Sequence, residues 1–238
     1  MPVMEWKKDG TVAIVTMTNG ENRHNPDFLA AILQTMDEIE KDSAVTAMVL
    51  TSGDPKNWSL GIDLAWIMGV AAQQDFPAIK TFMYDLNRMF TRILLFPMPV
   101  IAAINGHTFG DGSIMAAACD FRFMKADRGF FCMPEVDINI PLLPAMQAML
   151  QKIMPAHKFI ELVLTGKRAG AAELAAANII VKACADNDEL QKEALAFART
   201  FTKQRPIFAE MKRRMNKHIL ELMEKEDVVY IESGQLMM

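Results

Sequence analysis

Cysteine is scarce in this chain: Cys119, Cys132 and Cys184 are the three in 238 residues. An odd number lying in apolar surroundings excludes a disulfide framework and reads as reduced, buried thiols. No Cys/His spacing suits a metal ion. A basic excess is also missing. The net charge of −4 argues against a nucleic-acid surface, which needs a clustered basic face, but leaves room for a local basic pocket. Long hydrophobic runs are absent too. The longest, ILLFPMPVIAAI from Ile93 to Ile104, is too short to span a bilayer and contains Pro97 and Pro99. The first residues, MPVMEWKKDG, have no apolar signal core, and GQLMM at the other end is not a peroxisomal address. A cytoplasmic setting is the expectation. No Pro/Gly/Ser-rich linker and no strict repeat divides the chain.

What is present suits one large core. Hydrophobic residues make up 51% and charged residues 23%, the balance of a globular protein. Thr11 to Met17 is β-branched and apolar and reads as a strand. After the NGENRHN turn, Pro26 opens a helix with Phe28, Leu29, Ile32, Leu33, Met36 and Ile39 on one face. Ala47 to Thr51 reads as a buried strand, followed by the loop SGDPKNWSLGID. A short helix is expected over Asp63 to Met68 and a longer one over Phe76 to Leu95. Pro99 to Ile104 is the next strand, and a helix through Cys119 follows it. Phe121 to Met124 and Gly129 to Cys132 read as short strands. Helices dominate from Pro144 onward, with one strand near Ile179 to Lys182. Asp186 and Glu189 resemble a capping box. Pro206 opens a last helix with Met211, Met215, Ile219 and Leu222 on its apolar face. The fold class is α/β, with a core over residues 1–185 and a helical C-terminal region over 186–238.

Two segments share one design. LGID (Leu60 to Asp63) and FGDG (Phe109 to Gly112) each set a glycine between a strand and a helix. Glycine permits a tight turn and close approach, and the first helical N–H groups lack intrahelical partners. The N–H groups of Ile62 and Asp111 can therefore converge on one oxygen and form an oxyanion hole, with a helix dipole behind Asp111. About twenty residues further on, MPE supplies the carboxylate of Glu135.

The motifs WSLGIDL, PVIAAINGHTFGDG, ACDFRF, MPEVDINIP and LTGKRAGAAELAAANII occur in this order along the whole chain. In that order and spacing the chain resembles the crotonase superfamily of enoyl-CoA hydratases and isomerases, most of all the 3,2-enoyl-CoA isomerases. The resemblance implies a crotonase-like spiral of ββα units, assembled as a homotrimer or a dimer of trimers. It implies an acyl-CoA thioester as substrate, so coenzyme A belongs to the substrate and no separate cofactor or metal is expected.

The resemblance also assigns roles. The N–H groups of Ile62 and Asp111 would bind the thioester oxygen. The family usually has a small residue where Asp111 stands; only the N–H is needed, and the acidic side chain must then point away from the developing anion. Of the two carboxylates that hydratases use, one position is Ile114 here and the other is Glu135. A single glutamate in a dry pocket suits a proton shuttle from C2 to C4, and burial should raise its pKa. The aspartate of dienoyl-CoA isomerases and dehalogenases falls on Leu143, which disfavours those chemistries. Asp137 is the one alternative second acid. Adenine and pantetheine would lie along Arg23, His24 and Asn25 and along Trp58 to Asp63, including Ser59, Gly61 and Asp63. Gly110 and Ile114 would line the acyl end with Trp66 and Phe82. Met68, Met83, Met115 and Met133 either line that pocket or fill the core.

Several residues have two readings. Arg23 or Lys56 either meets a phosphate or is solvated. Asp63 reads as a helix cap, and His107 as a hydrogen-bonded structural histidine. Lys212, Arg213, Arg214 and Lys217 are either a solvated face or a contact for the nucleotide 3′-phosphate. Besides isomerisation, two alternatives stay open: hydration or another enolate-type lyase reaction, and acyl-CoA binding without catalysis.

Overall fold

Both faces of the main sheet are covered, which explains why its strands read as nearly continuous apolar runs. The computed structural model describes residues 2–234, so most of the GQLMM end lies outside the described residues. A hairpin comes first, β1 (Met4–Asp9) and β2 (Val12–Met17), then α1 (Pro26–Lys41). There follow β3 (Ala47–Ser52), β4 (Asn57–Ser59), α2 (Leu64–Ala72) and α3 (Phe76–Leu94). The third unit is β5 (Val100–Ile104), β6 (His107–Phe109) and α4 (Asp111–Ala118). The fourth is β7 (Phe121–Lys125), β8 (Phe131–Cys132), a 3-10 turn at Pro134–Val136 and α5 (Pro144–Ile153). The chain ends with α6 (Ala156–Thr165), α7 (Ala171–Ala176), β9 (Lys182–Cys184), α8 (Asn187–Ala198), α9 (Arg205–Met215), α10 (Lys217–Leu222), a π-helical turn at Met223–Asp227 and α11 (Val228–Ser233).

The order β1-β2-β3-β5-β7-β9 makes a six-stranded sheet, parallel apart from the β1–β2 hairpin. The order β4-β6-β8 makes a smaller parallel sheet. Each main strand from β3 to β7 thus continues into a short strand of the second sheet before its helix begins. This is the spiral of ββα units. Along β2, β3 and β5 the side chains alternate between two cores. Val15, Leu50 and Ala102 join the larger core with α1, α3 and α4, while Ile14, Val49 and Ile101 pack with Leu190 and Ala194 of α8. The three cysteines are free and buried.

The structure departs from the sequence reading in several places. The strand β1 was not expected: its Glu5, Lys7 and Lys8 are the polar residues of an edge strand, and they blunt it against further pairing. The short strands β4 and β6 lie where loop and turn were expected, and β9 starts three residues later than Ile179. The last helix breaks at Asn216, whose amide donates to Leu94 O at 2.9 Å. Finally, α9 does not bury Met211 and Met215, which are 51% and 72% exposed. It buries Lys212 instead, whose ammonium donates to Ile93 O, Met98 O and the Asp120 carboxylate at 2.7–3.3 Å. Lys212 is therefore unavailable to a phosphate. Arg213 and Arg214 remain outside, paired with Glu210, and Lys217 faces Glu221 at 3.6 Å.

No helix among the described residues is long and apolar enough to cross a membrane. One buried carboxylate ties the C-terminal segment to the body. Asp227 accepts from Ala145 N at the uncapped start of α5 (3.0 Å) and from Asn87 Nδ2 of α3 (3.1 Å). Asp227→Ala leaves both donors without a partner and should lower the unfolding free energy by about 2 kcal/mol, read from urea denaturation. A change below about 0.5 kcal/mol, the size of an ordinary surface substitution, would show that Asp227 fastens nothing.

Candidate active site

The first turn is gripped on both sides of one residue. Gly61 follows β4 with φ +72°, a conformation that glycine adopts without strain. Its carbonyl accepts from His24 N at 2.7 Å, and Asp63 N donates to His24 O at 2.9 Å. Between them His24 and Ile62 form an isolated parallel bridge. Asp63 caps α2 by accepting from Trp66 N at 3.1 Å, as its spacing predicted. The Ile62 N–H itself donates to no backbone group among the described residues.

The second turn is Gly110, φ +55°, anchored by its N–H to Cys132 O at 2.9 Å. Asp111 then opens α4, so its N–H precedes the helical ladder. The two turns touch through bare backbone. A Cβ on Gly61 would lie 2.7 Å from both Asp111 N and Phe109 O, and one on Gly112 would lie 2.5 Å from Ser59 O. Only glycine allows that approach, which sets the backbone of the first turn against Asp111 N.

Glu135 reaches the same place from the 3-10 turn after β8. A Cβ on Gly110 would be 3.3 Å from Glu135 Oε1, so the carboxylate lies over the second turn. Its Oε2 is buried without a hydrogen-bond partner. Burial pushes the Glu135 carboxyl up to about 7, and the Asp111 charge adds to the rise. A carboxylate poised near neutrality can both accept and return a proton. Ile114, one turn along α4 from Asp111, is fully buried.

Asp137 takes no part in this arrangement. It is exposed, and its Oδ2 would be 2.5 Å from a Cβ on Gly166. The side chain of Asp111 instead points at His24, Oδ2 to Nδ1 at 2.5 Å, with His24 fully buried. His24 Nε2 lies 3.0 Å from Ser59 Oγ. The sequence had placed His24 and Ser59 among binding residues and had used Asp111 only for its N–H. The buried chain that links their side chains was not foreseen, since its partners lie 87 and 35 residues apart.

The remaining candidates divide. Arg23 pairs with Glu21 at 2.8 Å, and Lys56 is exposed. Trp66 meets Phe82 with ring centroids 5.0 Å apart. Met83, Met115 and Met133 are buried core residues, whereas Met68 is 68% exposed. His107 is half-buried with an unpartnered Nδ1, and burial with the nearby Arg128 and Arg168 lowers its pKa. Among the described residues, no group of three or more His, Cys, Asp or Glu is placed to hold a metal.

Comparison with known proteins follows the same lines. A family model described as enoyl-CoA hydratase/isomerase matches residues 7–237. The chain is 34% identical over 194 residues to enoyl-CoA delta isomerase 3 of Arabidopsis thaliana, covering 79% of each chain. It is 30% identical over 204 residues to a putative enoyl-CoA hydratase of Thermus thermophilus, covering 83% of this chain and 77% of that one. A solved enoyl-CoA hydratase/isomerase family protein from Pseudomonas syringae superposes with a TM-score of 0.87 over 97% of both chains. At 23% identity that last match speaks for the fold alone.

The raised Glu135 pKa has a consequence for stability. Its folded-state value lies above the ordinary 4.5, so its contribution is complete below pH 4.5 and is lost as pH rises through about 7. Glu135→Gln removes this titration. The variant should gain on the order of 3 kcal/mol relative to the parent between pH 4.5 and pH 8, measured by denaturant unfolding at both pH values. A difference independent of pH would return Glu135 to an ordinary carboxylate.

Proposed function

The chain belongs to the enoyl-CoA hydratase/isomerase family, and on that premise we propose that it moves the double bond of a 3-enoyl-CoA thioester to the 2 position. The ionised Glu135 carboxylate takes a proton from C2. The electron pair delocalises onto the thioester oxygen, which the Ile62 and Asp111 N–H groups stabilise as a dienolate. Glu135 then returns the proton to C4, and the double bond comes to rest between C2 and C3. No water is consumed. Coenzyme A enters and leaves as part of the substrate.

The observation that carries this reading is the pairing of a half-buried glutamate of raised pKa with a buried isoleucine at the place of a hydratase's second acid. Supporting it, Asp137 is turned to Gly166. An apolar wall for the acyl chain is available on α2, LAWIMGVAA, none of whose side chains is fully buried in the chain. The nucleotide end of the substrate would follow the backbone at residues 23–25 and 58–63. Self-association as a trimer belongs to the same reading, supported by exposed Ile160, Leu164, Ile207, Met211 and Met215.

Hydration is the second reading, and one observation favours it. Asp111 brings a second buried carboxylate, with Oδ1 unpartnered, close enough for its charge to act on Glu135. Parallel assays with 3-enoyl-CoA and 2-enoyl-CoA separate the two. Isomerisation should dominate, and rapid hydration of the 2-enoyl substrate with negligible isomerisation would refute the first reading. Glu135→Gln should abolish turnover while thioester binding persists. The parent's kcat/KM should rise with pH and level off above about 7, since Glu135 must be ionised to accept the proton. An activity already level at pH 5 would remove Glu135 from that role.

A further inference from the structure

We propose that His24 is the positioning residue for both oxyanion donors, its backbone holding the first turn and its ring holding the second. This rests on the reading of the Ile62 and Asp111 N–H groups as the oxyanion hole. The backbone part is a clamp around Ile62: His24 N donates to Gly61 O at 2.7 Å and His24 O accepts from Asp63 N at 2.9 Å. The ring part fixes the residue that supplies the other donor, since Nδ1 meets Asp111 Oδ2 at 2.5 Å. Nε2 meets Ser59 Oγ at 3.0 Å, and that oxygen also accepts from Gly61 N at 3.2 Å. One side chain therefore joins the two turns through three bonds. Phe28 stacks on the imidazole, centroids 4.6 Å apart and planes 24° apart, and closes the remaining side.

The hydrogen-bond inventory shows what the trio does. Ser59 spends its single proton on Asn22 O at 2.8 Å, so His24 Nε2–H is the donor toward Ser59. Nδ1 is left to face the Asp111 carboxylate. Ser59 is fully buried with its hydroxyl committed, which leaves it unfit as a nucleophile despite its Ser–His–Asp alignment. The trio is a tether. It also solves an electrostatic problem. A carboxylate beside a developing oxyanion opposes catalysis, and the imidazole draws that charge away and offsets it.

The test separates geometry from folding. In a Glu135→Gln background, which blocks turnover, infrared difference spectra of a bound enoyl-CoA labelled with ¹³C at the thioester carbonyl report polarisation of that bond. His24→Leu keeps the packing on Phe28 and removes both ring bonds. Asp111→Ala cuts the same tether from the other end and keeps the residue-111 N–H. Each should lose most of the carbonyl shift, and with Glu135 restored each should lower kcat about 100-fold, the size of a small misplacement of a catalytic group, with KM little changed. The double variant should be no worse than either single one. If His24→Leu does not fold, Asp111→Ala decides. A carbonyl shift that is present with His24 intact and fully retained in Asp111→Ala overturns the positioning role alone. No shift even with His24 and Asp111 intact overturns the oxyanion reading itself.

Discussion

The constraint on which the rest depends is the approach of two peptide segments with no side chain between them. Gly61 and Gly112 each sit where a Cβ would collide with backbone of the other turn, at 2.7 Å and 2.5 Å. Such contact needs β4 and β6 to lie side by side, which the small parallel sheet provides. That sheet in turn exists because β3 and β5 each run on past the main sheet before their helices start. The spiral therefore delivers two helix-opening turns to one place, and Glu135 arrives there from the next unit by the same route. The two turns and Glu135 come from three successive units, so no short segment of the chain contains the candidate site.

The surroundings of this meeting point are buried. Ile114 and Met115 are fully buried behind the second turn, and His24, Ser59 and Asp111 are buried beside it. Low effective dielectric strengthens each hydrogen bond there and raises the cost of any unpaired charge. The same condition lifts the Glu135 carboxyl toward 7.

How much of this the sequence disclosed depends on range. Strands buried on both faces, β2, β3 and β5, stand out as apolar runs, and α1 and α3 as helical periodicity. The glycines at 61 and 110 and the glutamate after Pro134 were legible because each sits at a local change of element. The edge strand β1 was hidden by its charges, and β4 and β6, three residues each, are too short for a period to show. The burial of Lys212 could not be read from α9 at all, because its partners Ile93, Met98 and Asp120 lie on other elements. The role of the Asp111 carboxylate was invisible for the same reason: His24 is 87 residues away, and no local pattern encodes that pairing.

The far end of α4 has its own electrostatic consequence. Arg122 donates to Ala116 O and Cys119 O, Lys152 to Ala118 O, and the Lys212–Asp120 pair sits beside them. These cations cancel the partial negative charge that the last carbonyls of a helix carry. An eight-residue helix is only about 12 Å long, so an uncancelled negative end would weaken the positive field at Asp111 N. With that end neutralised, the positive end of α4 at Asp111 N is left unopposed. Lys212 of α9 thereby bears on the field along α4 from its far end.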